Sequence, residues 1–202
     1  MSEIQTYDKP GSLKTVDEIL NKYVPLNVFR PIFNYKDFNA MQSVIAESVL
    51  RSNDNMTVAS PTGSGKTTIF ELAIVKMFND DRNRFQSASL SKDKINPKAI
   101  YLAPSKSLVQ ERIASWKHKF GSSLNKKVVE LTSDSLETEG DNFMDLIRET
   151  DIICSTAEKF DSCTRKWRGD KLAKNLVFNL QLILLDEIHT IGEENRGRPS
   201  RL

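Results

Sequence analysis

The stretch Ser60-Pro61-Thr62-Gly63-Ser64-Gly65-Lys66-Thr67 constrains this chain more than any other. Small and apolar residues from Val58 to Ser60 lead into a glycine-rich turn, and residues 67–75 then carry apolar side chains at helical spacing. An extended segment that turns through glycines straight into a helix belongs to an α/β fold. Glycine lets successive backbone amides point into one concavity, and the helix that follows adds the positive end of its dipole there. Such a concavity suits phosphates. Thr62, Gly63, Ser64 and Gly65 form the cradle, Lys66 supplies a point charge, Thr67 offers a hydroxyl to Mg2+, and Thr68 joins them as a residue expected at the bound nucleotide. The general pattern for these loops asks for glycine where this chain has Ser60. A Gly/Ser loop with a chance lysine is the bland alternative, and it is disfavoured because turn, lysine, hydroxyl and helix all fall in register.

Far downstream, the apolar run Leu180 to Leu185 ends in Asp186-Glu187-Ile188-His189. The run is too short to cross a membrane and reads as a buried parallel strand. Carboxylates at the carboxyl end of such a strand face the crevice where α/β sheets take their ligands. With a phosphate loop in the same chain, Asp186 is expected to hold Mg2+ through water, and Glu187 to orient and deprotonate an attacking water. Loop and acid pair together specify a nucleoside triphosphate site.

Length and composition limit the reading. At 202 residues and 39% hydrophobic content, the chain can bury one core and fits a single α/β domain with an amino-terminal extension over residues 1–28. A net charge of +2 says little, but Lys106, Arg112, Lys117, Lys119, Lys126 and Lys127 make one basic region, and Lys159, Arg165, Lys166, Arg168, Lys171 and Lys174 another. Solvated helix faces are the ordinary source of such runs. Cys154 and Cys163 lack zinc spacing and a secretory context, so they read as reduced thiols of a nuclear or cytosolic protein. Residues 1–13 lack the apolar centre of a signal peptide, and no segment has membrane-spanning length.

The extension is expected to be partly ordered, with one amphipathic piece, Val16 to Tyr23. Residues 38–50 show helical spacing at Met41, Val44, Ile45, Val49 and Leu50. Strands are expected at Thr57 to Ser60, Lys98 to Ala103, Val128 to Thr132, Asp151 to Ser155 and Leu180 to Asp186, alternating with helices. This alternation predicts a parallel sheet with helices on both faces. Asp80 to Pro97, polar and without periodicity, reads as a surface loop.

Six stretches carry a resemblance in their order: residues 38–43 (FNAMQS), the phosphate loop, residues 102–112 (LAPSKSLVQER), Thr132-Ser133-Asp134, residues 155–161 (STAEKFD) and Asp186-Glu187-Ile188-His189. In this order they resemble the superfamily 2 DExH helicases, at the first of their two RecA-like domains. Residues 131–139 (LTSDSLETE), Thr164 to Trp167 and His189 to Gly197 look most similar to the meiotic crossover-promoting DNA helicases of the MER/HFM type. The resemblance covers residues 29–197.

It implies an ATP-dependent, 3'-to-5' DNA helicase of meiotic recombination, nuclear, using ATP and Mg2+ and acting on single-stranded or branched DNA. Gln42 would read the adenine edge, matching its N6 donor and N7 acceptor. His189 would couple the ATP site to the partner domain. Ser105, Lys106 and Arg112, then Thr132 and Ser133, then Thr156, Glu158 and Lys159 would line a single-strand track, although Ser or Thr before a helix is also ordinary capping. Trp167 reads as packed against its own domain more readily than stacked on a base.

Two departures stand out. Relatives usually have proline where Ala157 stands, and after Arg196-Gly197 this chain reads Arg198-Pro199-Ser200-Arg201-Leu202. The second RecA-like domain with its arginine fingers is therefore expected to be missing, so that this piece binds Mg-ATP weakly and hydrolyses it very slowly. An RNA helicase of the same branch, or a non-catalytic module binding nucleic acid or protein, stays open as an alternative. Oligomeric state is not specified.

Overall fold

The computed structural model describes residues 13–87, 97–131, 148–165 and 171–189. Two compact units divide the chain, Met1–Leu90 and Ser91–Leu202.

The first unit is helical in its described part. The amphipathic piece forms α1 (Val16–Tyr23), whose start is capped by Thr15 Oγ1 accepting from Glu18 N at 3.0 Å. Its apolar stripe, Val16, Ile19 and Leu20, is fully buried. A short α2 (Leu26–Phe29) and a 3-10 turn (Arg30–Ile32) lead through an edge-to-face trio, Phe33, Tyr35 and Phe38, to α3 (Ala40–Arg51). Glu47 on α3 ties the extension down: it accepts from Lys14 Nζ at 2.6 Å, Tyr23 OH at 2.8 Å and Lys22 Nζ at 3.3 Å. These donors, Lys14 first, hold its carboxyl down to about 2.

Two expectations change here. The helix after the glycine turn, α4 (Lys66–Ser87), continues well into the stretch read as loop. Lys76 Nζ lies 2.6 Å from Asp80 Oδ2, an i,i+4 pair that carries the helix across that boundary; residues 88–96 lie outside the described residues. Thr57 to Ser60 form no strand. Apolar character permits extension, but a strand exists only when a neighbour takes up its backbone groups, and the sheet of this protein is built from other segments.

That sheet lies in the second unit: β1 (Lys98–Ala103), β2 (Val128–Glu130), β3 (Ile152–Thr156) and β4 (Leu180–Leu185), in the order β2-β3-β1-β4 with every pair parallel. β1 has the predicted bounds, and β3 and β4 differ from theirs by a residue. α5 (Lys106–Trp116), continued by a π-helical turn (Lys117–Ser122), packs Trp116 and Phe120 on the face that carries Tyr101. On the other face, Ile100, Leu102, Leu131, Ile153 and Leu176 form the core with Phe160, Cys163 and Leu180, using α6 (Ala157–Thr164) and α7 (Lys171–Asn179). The predicted parallel sheet with helices on both faces is therefore found.

β4 departs from the fully buried strand expected. Among the described residues it is an edge strand, and Ile183 and Leu185 are about half exposed while Leu184 is buried.

Glu47→Gln tests the anchor of the extension. A carboxyl lowered on folding stabilises fully above its unfolded value, 4.5, and loses that contribution as pH falls through about 2. Wild type should melt roughly 2–4 °C above the variant near neutral pH, corresponding to about 1 kcal/mol. Thermal melts across acid pH should show this gap close between pH 4.5 and about 2; a gap independent of pH would mean that the ion pairs contribute nothing.

Candidate functional site

In the first unit the glycine turn has the backbone its sequence requires. Gly63 and Gly65 adopt φ +79° and +83°, the left-handed region that side chains disfavour. Ser64 N donates to Pro61 O at 3.2 Å, and the hydroxyls of Ser60 and Ser64 lie 2.7 Å apart. Ser60 thus braces the turn from the position where the general pattern has glycine. Lys66 opens α4 and donates Nζ to Ser60 O at 2.8 Å and Pro61 O at 3.3 Å. These are neutral acceptors, which phosphate oxygens outcompete for an ammonium. Thr62 and Gly63 are exposed, and Ser64, Gly65 and Thr67 half-buried.

The start of α3 grips this turn. Asn39 Oδ1 accepts from Gln42 N at 2.9 Å while Gln42 Oε1 accepts from Asn39 N at 3.0 Å, a reciprocal cap. The other ends of both amides reach consecutive loop carbonyls: Asn39 Nδ2 donates to Ser64 O at 2.8 Å, and Gln42 Nε2 to Gly65 O at 3.1 Å. Gln42 is buried, and its amide serves the loop and the helix cap; contact with an adenine edge requires exchanging those bonds. Thr68 also differs from expectation. It is buried, with its hydroxyl 3.0 Å from that of Tyr35, whose phenol burial pushes up to about 12. Thr68 faces the aromatic trio.

In the second unit Asp186 follows β4 directly, its N donating to Leu102 O at 2.9 Å. Both carboxylate oxygens are held: Oδ2 accepts from Tyr101 OH at 2.7 Å and Oδ1 from Glu187 N at 3.0 Å. Glu187 has φ +50°, a conformation costing a non-glycine residue about 1–2 kcal/mol and typical of functional positions. Its Oε2 lies 3.3 Å from Nδ1 of the exposed His189. Asp186, Glu187 and His189 are thus brought together.

The three groups expected on a nucleic-acid track fare differently. Ser105 and Thr156 cap α5 and α6, accepting from Leu108 N at 3.4 Å and Lys159 N at 3.3 Å. They stand where β1 and β3 end, at the same edge of the sheet as Asp186. Lys106 and Glu158 are exposed and Lys159 half-buried. Arg112 is not at the surface: only 8% exposed, it lies over the rings of Tyr101 and Trp116. Helical periodicity turns position 112 inward, and aromatic faces compensate the buried cation. Thr132, Ser133 and Trp167 lie outside the described residues.

Asn39 and Tyr101 carry roles that sequence reasoning missed. Asn39 had a signal, since an Asn followed three residues later by Gln before an apolar run is a capping box. Tyr101 had none, because its nearness to Asp186 depends on which strands pair.

The available donors fit the expected ligands. The oxygens of Asp186 and the hydroxyl of Thr67 are the hard ligands Mg2+ prefers, and each Asp186 oxygen keeps lone-pair capacity beyond its one protein donor. Gly63 has nothing within 4 Å of an added Cβ, so its side of the turn is open to an approaching anion.

Comparison with known proteins follows the same line. The profile of the DEAD/DEAH box helicase family matches residues 39–201. The chain is 39% identical over 186 residues to ATP-dependent DNA helicase MER3 of Saccharomyces cerevisiae, covering 91% of this chain and 14% of that protein. It is 40% identical over 189 residues to the probable ATP-dependent DNA helicase HFM1 of Homo sapiens, covering 93% and 11%. It is 36% identical over 165 residues to activating signal cointegrator 1 complex subunit 3 of Dictyostelium discoideum, covering 82% and 6%. The chain therefore spans only a small part of each relative. In fold it resembles the solved structure of S. cerevisiae Dbp5 L327V bound to Gle1 H337R and IP6, at TM-score 0.55 and 17% identity, over 95% of this chain and 53% of that one.

Two glycines of the turn separate backbone strain from contact. Both have positive φ, but a Cβ at Gly63 meets nothing within 4 Å, whereas at Gly65 it lies 2.3 Å from Gln42 Nε2. Gly63→Ala should cost about 1–2 kcal/mol from the backbone alone. Gly65→Ala should cost more and displace Gln42. Equal melting temperatures for the two variants would mean that Gln42 does not grip the loop.

Proposed function

Since this chain belongs to the DEAD/DEAH box helicase family, we propose that residues 29–202 are the first RecA-like, ATP-binding domain of an ATP-dependent DNA helicase, preceded by an extension over residues 1–28. The observation that carries this is the family match across residues 39–201, which includes a glycine turn in its left-handed conformation and an acid pair at the end of a parallel strand. The names of MER3 and HFM1 support DNA as the substrate. A nuclear role in meiotic recombination with 3'-to-5' polarity follows from the resemblance, and the second RecA-like domain is the partner such a motor requires.

In this reading the residues act on one ATP. Gly63, Ser64, Gly65 and Lys66 bind the phosphates, and Thr67 and Asp186 hold Mg2+. When bound, the ion neutralises charge on the phosphoryl oxygens. Glu187 orients a water and takes its proton as the water oxygen bonds to the γ-phosphorus. The bond from that phosphorus to the bridging oxygen breaks, and ADP leaves with the electron pair. His189, beside Glu187, is assigned to coupling with the partner domain. Ser105, Lys106, Thr132, Ser133, Thr156, Glu158 and Lys159 remain assigned to the single strand, through hydroxyls, amines and helix amides. Among the described residues no helix is long and apolar enough to cross a membrane.

Fluorescent ATP-analogue titration of the 202-residue chain tests the assignment. Lys66→Ala should weaken binding at least about ten-fold, about 1.4 kcal/mol. Glu187→Gln should bind like wild type and lose the slow residual hydrolysis. Unchanged affinity in the lysine variant would sink the site. Binding of single strands without any nucleotide binding would leave the non-catalytic module, and RNA outcompeting DNA would favour the RNA-acting alternative.

A further inference from the structure

We propose that Tyr101 is a positioning residue for Asp186, and that the buried Arg112 and Trp116 hold Tyr101 in place for that purpose. The proposal rests on the assignment of Asp186 to Mg2+ made above. It begins with register. Tyr101 on β1 pairs with Leu184 on β4, so Asp186, two residues on, returns to the same face of the sheet. A tyrosine is long enough to reach forward by that step, and its hydroxyl donates to Oδ2 at 2.7 Å.

The ring is fixed from the side of α5. Trp116 meets it edge-on at 5.3 Å between centroids, and the Arg112 guanidinium stands 5.6 Å from the Tyr101 ring and 5.7 Å from that of Trp116. Trp116 and Tyr101 are fully buried. Arg112 Nε is buried without a hydrogen-bond partner among the described residues, so the two aromatic faces offset the burial of this cation and tie it to Tyr101.

The consequence is a carboxylate held at both oxygens, so that rotating its plane breaks a hydrogen bond. Tyr101 takes a lone pair of Oδ2 and the Glu187 amide takes one of Oδ1, which leaves each oxygen a lone pair that a metal-bound water could use. Groups that orient a metal-ligating carboxylate typically contribute 10–100-fold to metal affinity or activity. The same contacts run from α5, which is capped by Ser105 and begins at Lys106, through Arg112 and Tyr101 to Asp186.

Tyr101→Phe removes the hydroxyl and keeps the ring. In the 202-residue chain, affinity for a fluorescent ATP analogue should be measured with excess Mg2+ and with EDTA, and melting temperature alongside. Mg2+ should tighten binding to wild type. Tyr101→Phe should keep its EDTA affinity and melt within a few degrees of wild type, while losing about ten-fold of the Mg2+-dependent tightening. Arg112→Met should show a smaller loss of the same kind. A purely structural tyrosine would lower the melting temperature without changing the Mg2+ ratio, and an unchanged ratio in Tyr101→Phe overturns the proposal. If wild type binds the analogue equally with Mg2+ and EDTA, the metal reading of Asp186 fails and takes the proposal with it.

Discussion

Parallel pairing around β1 is the constraint on which the second unit depends. All six of its residues are buried, and it hydrogen-bonds on both sides, to β3 and to β4, the strand that leads to Asp186. Parallel strands run in the same direction, so their carboxyl ends open on one edge. Ala103 is level with Thr156, and Leu102 with Leu185. Ser105, Thr156 and Asp186 emerge at that edge as a result of register, with no further device. Lys98, at the opposite end, shows how firmly the strand is held. Its fully buried amine, which burial pushes down to about 8, donates to Arg148 O at 3.0 Å and Thr150 O at 2.7 Å. It closes the entry to β3 from β1.

In the first unit the equivalent constraint is local. A turn with two left-handed glycines has little intrinsic stiffness, and its shape is maintained from outside by two amides, one on the cap and one on the first turn of α3. Each amide serves twice, capping its own helix with one end and holding a loop carbonyl with the other. This economy explains why a Cβ at Gly65 would have to displace the Gln42 amide, which occupies the space. Thr68 and Tyr35 brace the loop from beneath, where α4 meets the aromatic trio.

Much of this was legible in the sequence, for specific reasons. Periodicity found α1 and β1 with their bounds, because an amphipathic stripe and a short apolar run between polar breaks are local patterns. Gly63 and Gly65 were legible because few residues tolerate such φ values. What periodicity does not carry is the identity of neighbours. Among the described residues, Thr57 to Ser60 have strand composition but no strand partner, and Leu180 to Leu185 have the composition of a strand covered on both faces yet stand at the edge. The mid-chain polar stretch read as loop from Asp80 because its residues lack a stripe, although charged residues with i,i+4 partners extend a helix well. Thr68 and Arg112 were placed at ligands by motif position, and the helices on which they lie turn them inward.

Charge shows the same separation between composition and placement. The first basic region contains six cations between Lys106 and Lys127, and counted as surface charge they would form a strong electrostatic footprint for nucleic acid. Folding removes much of it. Arg112 is buried against aromatic rings, Lys126 pairs with Asp151 at 2.8 Å, and Lys127 pairs with Glu149 at 2.9 Å. Asp151 in turn accepts from Lys127 N at 2.8 Å, so part of this basic region serves to fasten the entry of β3. At least half of the six cations are therefore engaged by neighbouring groups of the fold. Among the described residues, this edge presents the Ser105 and Thr156 hydroxyls, the amides at the starts of α5 and α6, and the exposed Lys106. On the proposed assignment of this edge to a single strand, the contacts would be directed hydrogen bonds to the sugar-phosphate backbone, which position a strand without reading its sequence.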